Sequence, residues 1–419
     1  MSILHDARSS AHWDPATRRF WLTVIAVGLI GGVAGAAYVE TLRWVTRLLG
    51  PAHWARSTHL VLLGAVGAAI GILTLTLGNP GDVELLVDNI HVQGGASDLR
   101  ALRALIPISL LGIGAGSAIG PEAPLVQTTG ALGSWVGRRG RIPLPRSRWL
   151  TITGMGAGFT VLFGAPLGSA IFALEILHRD GLEYYEALLP AAVGSTIGYG
   201  VYATVTRLGL SPIWRFPYVR HLAPVDMVVG LGAGIVGAVI AFSFTYLSAM
   251  FRRGFRLLPV AVRPIAGGLA LGGLAWLSPY ALTFGESQIQ SIVNGRLLVT
   301  TLIIAGIAKL LASSCIVSSG WRGGFIIPLF FMGAAFGAAG AHFTGVTPVV
   351  AMLSLMVAAN VGVTKTPLGS CLIVVEMAGV RVLPPVLLAG LVAFFLTRQV
   401  DMIHTQRDRE GAFEPGAAA

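Results

Sequence analysis

Glu122 stands in GSAIGPEAPLVQ, between long apolar runs, where a carboxylate is costly and marks an ion or proton pathway. Its neighbours narrow that role. Gly120, Pro121 and Pro124 interrupt backbone hydrogen bonding where a helix would start, because proline lacks an N–H and glycine lets another group come close. A helix beginning there presents unpaired N–H groups and about half a positive elementary charge. Such an end binds an anion without a buried arginine or lysine. A glutamate on it is a tethered anion, which occupies the site when charged and leaves it when protonated. The alternative is that Glu122 only caps its own helix.

The segment has a counterpart. GFIIP at 324–328 follows GPEAP at 120–124 at an offset of 204 residues, and PLGSCLIVVE (367–376) follows PLGSAIFALE (166–175) at an offset of 201. Two matched pairs imply two homologous halves, about 20–206 and about 226–406, each with a broken helix at its centre. Repeated halves with broken helices are a transporter architecture, in which the breaks meet near the membrane midplane.

The elements that must position these breaks are membrane helices. Only 11% of the 419 residues are charged, 54% are hydrophobic and 55 are glycine, and the mean hydropathy is +0.75. Soluble chains carry about 25% charged residues. Apolar stretches recur from 21–49 to 382–397, and several, such as 104–137 and 298–346, are too long for one crossing and must divide. The formal charge of +10 is not a nucleic-acid footprint, because the arginines sit in short clusters between apolar runs. Arg18 and Arg19, Arg138 to Arg148, Arg252 to Arg256, and Arg407 and Arg409 place both termini in the cytoplasm by the positive-inside pattern. The tail after Phe395 is too short for a regulatory domain, so a single integral domain, 1–419, with short cytoplasmic tails is expected.

With its motifs in this order, the chain resembles the CLC family of chloride channels and chloride/proton exchangers from about Trp21 to Gln406. GPEAP is similar to the family's G-[KR]-E-G-P motif, whose glutamate is the gate. SSGWRGGFIIP (318–328) is similar to its S-G-x-x-G-G-x-F-x-P segment, where backbone N–H groups meet the anion. The resemblance implies an all-α polytopic membrane protein, an inverted repeat of the CLC type, in the cell (inner) membrane. It implies a homodimer in lipid with one pore per subunit, chloride or a similar small anion as cargo, protons as a second ion in the exchangers, and no cofactor. Carried over by motif, Glu122 is the gate and Gly120, Pro121, Ala123, Gly324, Phe325 and Ile326 surround the anion.

The departures are specific. Pro121 and Ala123 replace the residues flanking the family's gate. The family's anion-contacting serine falls in GNPGD (78–82), at Asn79 by the glycine match or at Gly78 by the acidic residues. An asparagine amide donates to an anion as a hydroxyl does, but Asn-Pro-Gly also makes a turn on its own account. Ile403 takes the place of a pore-facing tyrosine, and Ile176 that of the exchangers' inner glutamate, which passes the proton on. The resemblance therefore implies a Glu122-gated anion pathway with weak or altered proton coupling. A fully coupled antiporter stays open, and so does a fluoride transporter, because a fluoride-selective branch lacks the same donors.

The remaining polar residues carry blander expectations. Glu175 points about 100° away from position 176 on a helix, and with Glu376 reads as a structural carboxylate. Lys309 and Lys365 either raise the potential along the anion path or satisfy carbonyls, the second being favoured. His91, His178 and His342 have no metal-ligand spacing. Cys315 and Cys371 lie in apolar stretches and form no disulfide framework. No HExxH, paired-Asp or Ser/His constellation supports an enzyme.

Overall fold

Apolar runs of this length must be helical in lipid, because only a helix or a closed barrel pairs every backbone group without water. The computed structural model describes residues 15–406 apart from 82, 94, 96–98, 180–183, 208, 209, 211, 296 and 401. Among the described residues sixteen α-helices form and no strand. They fall into two series of eight. The first comprises α1 (Pro15–Leu49), α2 (Arg56–Leu77), α3 (Val83–Gln93), α4 (Arg100–Gly114), α5 (Glu122–Arg139), α6 (Leu144–Phe163), α7 (Pro166–Glu175) and α8 (Leu188–Thr206). The second comprises α9 (Pro224–Phe255), α10 (Arg263–Leu277), α11 (Glu286–Val293), α12 (Val299–Ser318), α13 (Ile326–Thr344), α14 (Pro348–Thr364), α15 (Pro367–Ala378) and α16 (Leu383–Leu396).

The series correspond member by member. Each opens on its longest helix, 35 residues in α1 and 32 in α9. Each has a short seventh helix started by proline, 10 residues in α7 and 12 in α15. The long apolar runs divide where glycine and proline allow. One left-handed residue turns α6 into α7 and α14 into α15: Gly164 (φ 66°) in the first half and Lys365 (φ 61°) in the second. That conformation costs a residue with a Cβ about 1–2 kcal/mol. At Lys365 the ammonium offsets the cost by bonding Gly362 O (2.7 Å), Thr397 O (2.5 Å) and Thr397 Oγ1 (2.9 Å).

The twin PLGS…E motifs are explained where α7 crosses α15. Glu175 accepts from the N–H groups of Leu368 (3.1 Å) and Gly369 (2.6 Å) at the start of α15. Glu376 returns the contact, accepting from Leu167 (3.4 Å) and Gly168 at the start of α7. Each carboxylate thus caps the other half's helix, satisfying its orphan donors and dipole. The glycines are required by proximity, since a Cβ on Gly369 would lie 2.5 Å from Phe172 Cα, and one on Gly168 would lie 2.8 Å from Ile373 Cα. The structural reading of both glutamates holds.

Among the described residues six helices are long and apolar enough to cross a membrane. Their outward side chains are apolar too, with Val61, Leu75, Val228 and Tyr246 each about two-thirds exposed. Such a surface is at home only in lipid. The chain is a polytopic all-α membrane protein, and the two series meet where the fully buried Phe163 and Phe330 pack edge-on.

Candidate functional site

The two breaks found in the sequence come together. Gly120 N–H donates to Gly324 O at 2.7 Å, and Gly324 N–H donates back to Gly120 O at 2.6 Å, an antiparallel bridge between the halves. It sets the N-termini of α5 and α13 side by side. The approach to Glu122 is pinned along its length. Thr283 N–H donates to Gly116 O (2.8 Å) and Ser313 Oγ to Ala118 O (2.8 Å). Lys309, fully buried, donates to Leu282 O (2.9 Å) and Thr283 O (2.5 Å). Its ammonium therefore satisfies carbonyls, as favoured for it, in the turn that holds this loop.

Glu122 is the first residue of α5 and is fully buried. Its Oε1 accepts from the N–H of Ile327, in the first turn of α13, at 2.5 Å. Its Oε2 is buried with no hydrogen-bond partner. The carboxylate thus reaches across to the other half's helix end and does more than cap its own. Both bridging glycines make room for it. A Cβ on Gly324 would stand 2.7 Å from Oε2, and one on Gly120 would stand 2.8 Å from the carboxyl carbon. A helix N-terminus with free N–H groups is the kind of position at which proteins hold small anions, and one oxygen of this carboxylate occupies it.

Three cavities surround it. A large one, about 780 Å³, reaches Pro121 from the side of Arg43, Arg47, Arg215, Tyr202 and Glu286. A small one, about 20 Å³, has Ala123, Gly324, Phe325, Ile326, Ile176 and Ile403 among its walls, with no hydroxyl on any of them. A third, about 70 Å³, shares Ala123, Phe325 and Ile403 with the small one and adds Gln127, Arg252 and Arg322. Ile403 is held there because Gln406 donates to Ile176 O (3.0 Å) and Thr364 O (2.9 Å).

The residues carried over by motif therefore converge, with one exception. Gly120, Pro121, Glu122, Ala123, Gly324, Phe325, Ile326 and Ile403 meet at or beside the two helix ends. Asn79 is exposed, and its Oδ1 accepts from Arg322 at 2.5 Å. From GNPGD it is Gly81 that lines the third cavity; Gly78 turns with φ 92°, and Asp82 lies outside the described residues. Gln127 and Arg322 were missed. The signal for Gln127 was its i,i+4 spacing from Ala123, which puts both on one face of α5. His91 and His178, which lack metal-ligand spacing in the sequence, meet with ring centroids 4.9 Å apart. Cys315 and Cys371 are buried and free, and no His/Cys/Asp/Glu group suited to a metal occurs among the described residues.

Comparison with known proteins points the same way. Residues 82–398 match the family described as voltage gated chloride channel. The "Chloride/fluoride channel protein" of Pseudomonas syringae pv. tomato is 27% identical, over 92% of this chain and 86% of its own length. The H(+)/Cl(−) exchange transporter ClcA of Citrobacter koseri is 27% identical, over 85% and 80%. Among solved structures, a CLC-type fluoride/proton antiporter superposes with a TM-score of 0.80 at 23% identity, covering 93% of this chain and 98% of the other. A slow cyanobacterial Cl−/H+ antiporter gives 0.80 at 22%, covering 93% and 95%. Two halves of eight helices, joined by a glycine bridge over a buried glutamate and matched by that family over three-quarters of their length, make this chain a member of the CLC family.

Proposed function

We propose that the protein carries chloride or a similar small anion across the membrane through a pathway gated by Glu122, with weak or altered proton coupling. The observation that carries the reading is the buried carboxylate lodged at the N-terminus of α13, one oxygen on Ile327 N–H and the other unpartnered. Charged, it fills the place where an anion would bind and separates the large cavity from the small one. Protonated, it loses its attraction to the helix end, swings away, and lets an anion take the backbone N–H groups. Ile176 on the wall of the small cavity carries no proton, so coupling is weaker than an inner carboxylate would give. The relatives named as exchangers and antiporters support a fully coupled alternative. The absence of hydroxyls around the small cavity supports a fluoride alternative, because its donors would be backbone N–H groups alone.

Purified protein in liposomes, with chloride or fluoride efflux and proton movement recorded together, tests all three. Anion efflux with few protons per anion is expected. A fixed stoichiometric proton count would favour the antiporter, preference for fluoride would favour the second alternative, and no efflux of either anion would overturn the reading.

Each subunit works as one integral unit of two halves, and two subunits associate in lipid through the 186–250 and 382–397 regions. These regions expose Leu189, Val205, Val239 and Phe395, each more than half accessible. Because both native cysteines are buried, Leu189→Cys and Phe395→Cys give clean crosslinking probes. Covalent dimers from either are expected, and monomers alone in native-like lipid would count against the interface.

A further inference from the structure

Helix α6 orders the groups around Glu122. Val161 and Leu162 at its C-terminal end wall the large cavity, Met155 and Phe159 wall the small one, and Arg148 near its start bonds Ile90 O and His91 O of α3, each at 3.0 Å. From Arg148 to Leu162 the helix rises about 21 Å. At the Arg148 end, beyond the small cavity, two buried histidines meet. His91 is one turn past Val87 on α3, and His178 is two residues past Ile176. Val87 and Ile176 are themselves walls of that cavity.

The hydrogen bonds of His91 are those of a reversible proton carrier. Nε2 lies 2.9 Å from Leu177 O, and Nδ1 lies 3.0 Å from the Tyr184 hydroxyl. A carbonyl only accepts, so Nε2 carries the hydrogen, and in the neutral ring Nδ1 accepts from Tyr184 O–H. When Nδ1 takes a proton, the hydroxyl turns and its oxygen accepts instead. Both states are bonded at both nitrogens with no heavy atom displaced. The His178 ring stands edge-on to His91 at 4.9 Å, and two imidazolium charges at that spacing repel, so the pair holds one proton at a time. Other charged groups here are Arg148, whose guanidinium lies 4.7 Å over the Tyr184 ring, and Arg179, next in the chain. Glu175, the nearest acid on α7, is committed to Leu368 and Gly369. Asp180 and Glu183 follow outside the described residues.

We infer that His91 and His178, with the Tyr184 hydroxyl, form a proton station on the far side of the small cavity from Glu122, exchanging protons with it through water in that cavity. The inference rests on the proton branch of the function proposed above. In the uptake direction a hydronium ion gives its proton to His91 Nδ1, and the pair releases one to a water in the cavity. The walls of that cavity are apolar throughout, so it wets only transiently; a water entering it from the histidine side passes a proton to Glu122 Oε2 and cancels its charge. Only N–H and O–H bonds are made and broken, and no electron moves.

The test is the ratio of protons to anions moved by the full chain in liposomes, read for His91→Gln, His178→Gln and Tyr184→Phe. Glutamine hydrogen-bonds but does not titrate, so His91→Gln should lower the ratio about tenfold or more, with Tyr184→Phe between it and wild type. Adding Ile176→Glu to His91→Gln should restore the ratio, which repair of a merely structural defect would not do. Should His91→Gln fail to fold, the ratio of His178→Gln and its dependence on pH at the histidine side carry the test. A ratio unchanged in both histidine variants overturns the inference and leaves the anion pathway standing. So does a wild type that moves anions with no protons at any pH. A wild type that moves no anion removes the proposed function itself.

Discussion

Glu122→Gln is expected to keep anion flux running at every pH and to abolish both its pH dependence and any proton movement. Glutamine has the shape of the protonated carboxyl and none of its charge, so it cannot compete for the α13 N-terminus. On the gating proposed above, the ionised form blocks the site in the wild type and acid relieves the block. Flux should therefore rise as pH falls, by at most about tenfold per pH unit for a single group, and the variant should sit on the upper plateau throughout. Crystals of the variant grown in bromide should show anomalous density beside the Phe325–Ile327 backbone, in the position the carboxylate now holds. A glutamate that only supported the fold would behave otherwise, because flux would drop at all pH values in step with the yield of folded protein. Retained wild-type pH dependence would remove Glu122 from the gate.

The largest stability effect is expected at the crossing of α7 and α15. In Gly369→Ala the new methyl would stand 2.5–2.7 Å from Phe172 backbone and Cβ atoms, so the two helices must part. Overpacking of this kind costs about 1–3 kcal/mol. Parting also stretches the bonds from Leu368 and Gly369 to Glu175. Gly168→Ala should cost a similar amount, and the double variant less than the sum, since one separation accommodates both methyls. Gly232→Ala on α9 is the control, because a Cβ there meets nothing within 4 Å and the helix should gain about 0.5–1 kcal/mol. Melting in detergent distinguishes the cases. If Gly369→Ala melts with Gly232→Ala, the clasp is not a close contact.

The repeat was legible because its chemistry is local. A proline opening a helix, a glycine beside it and a glutamate nine residues on can be read in one dimension, and all of them recur at a fixed offset. The Glu122 site was legible for the same reason. What could not be read was which atoms the repeated residues touch. Glu175 and Glu376 look like two isolated carboxylates, and only the crossing of their helices makes each the other half's cap. Lys365 gave no hint of a left-handed turn, since the glycine that marks this place in the first half is missing and its stand-in is a buried ammonium bond to Thr397. Asn79 illustrates the opposite case. A motif match proposed it as a donor, whereas its backbone course carries the side chain out to Arg322. Gln127 is polar among apolar neighbours, yet only the packing of α5 against the 321–325 segment turns that face into a cavity wall.

The bonds made by the three carboxylates are all long in the chain. Glu122 reaches Ile327 across 205 residues, Glu175 reaches Gly369 across 194, and Glu376 reaches Gly168 across 208. During synthesis the first half therefore enters the bilayer with the start of α7 uncapped and two of its carboxylates unanswered. No rearrangement within that half can supply the missing N–H groups. Assembly has to wait for α13 and α15, the thirteenth and fifteenth of sixteen helices, and closing loops this long is a slow, entropically opposed step. Ribosome stalling or truncation before residue 327 would leave a membrane-inserted fragment with no permeation path, and its unmet polar groups would mark it for membrane quality control. On the proposed reading, the ion pathway is among the last things the growing chain acquires.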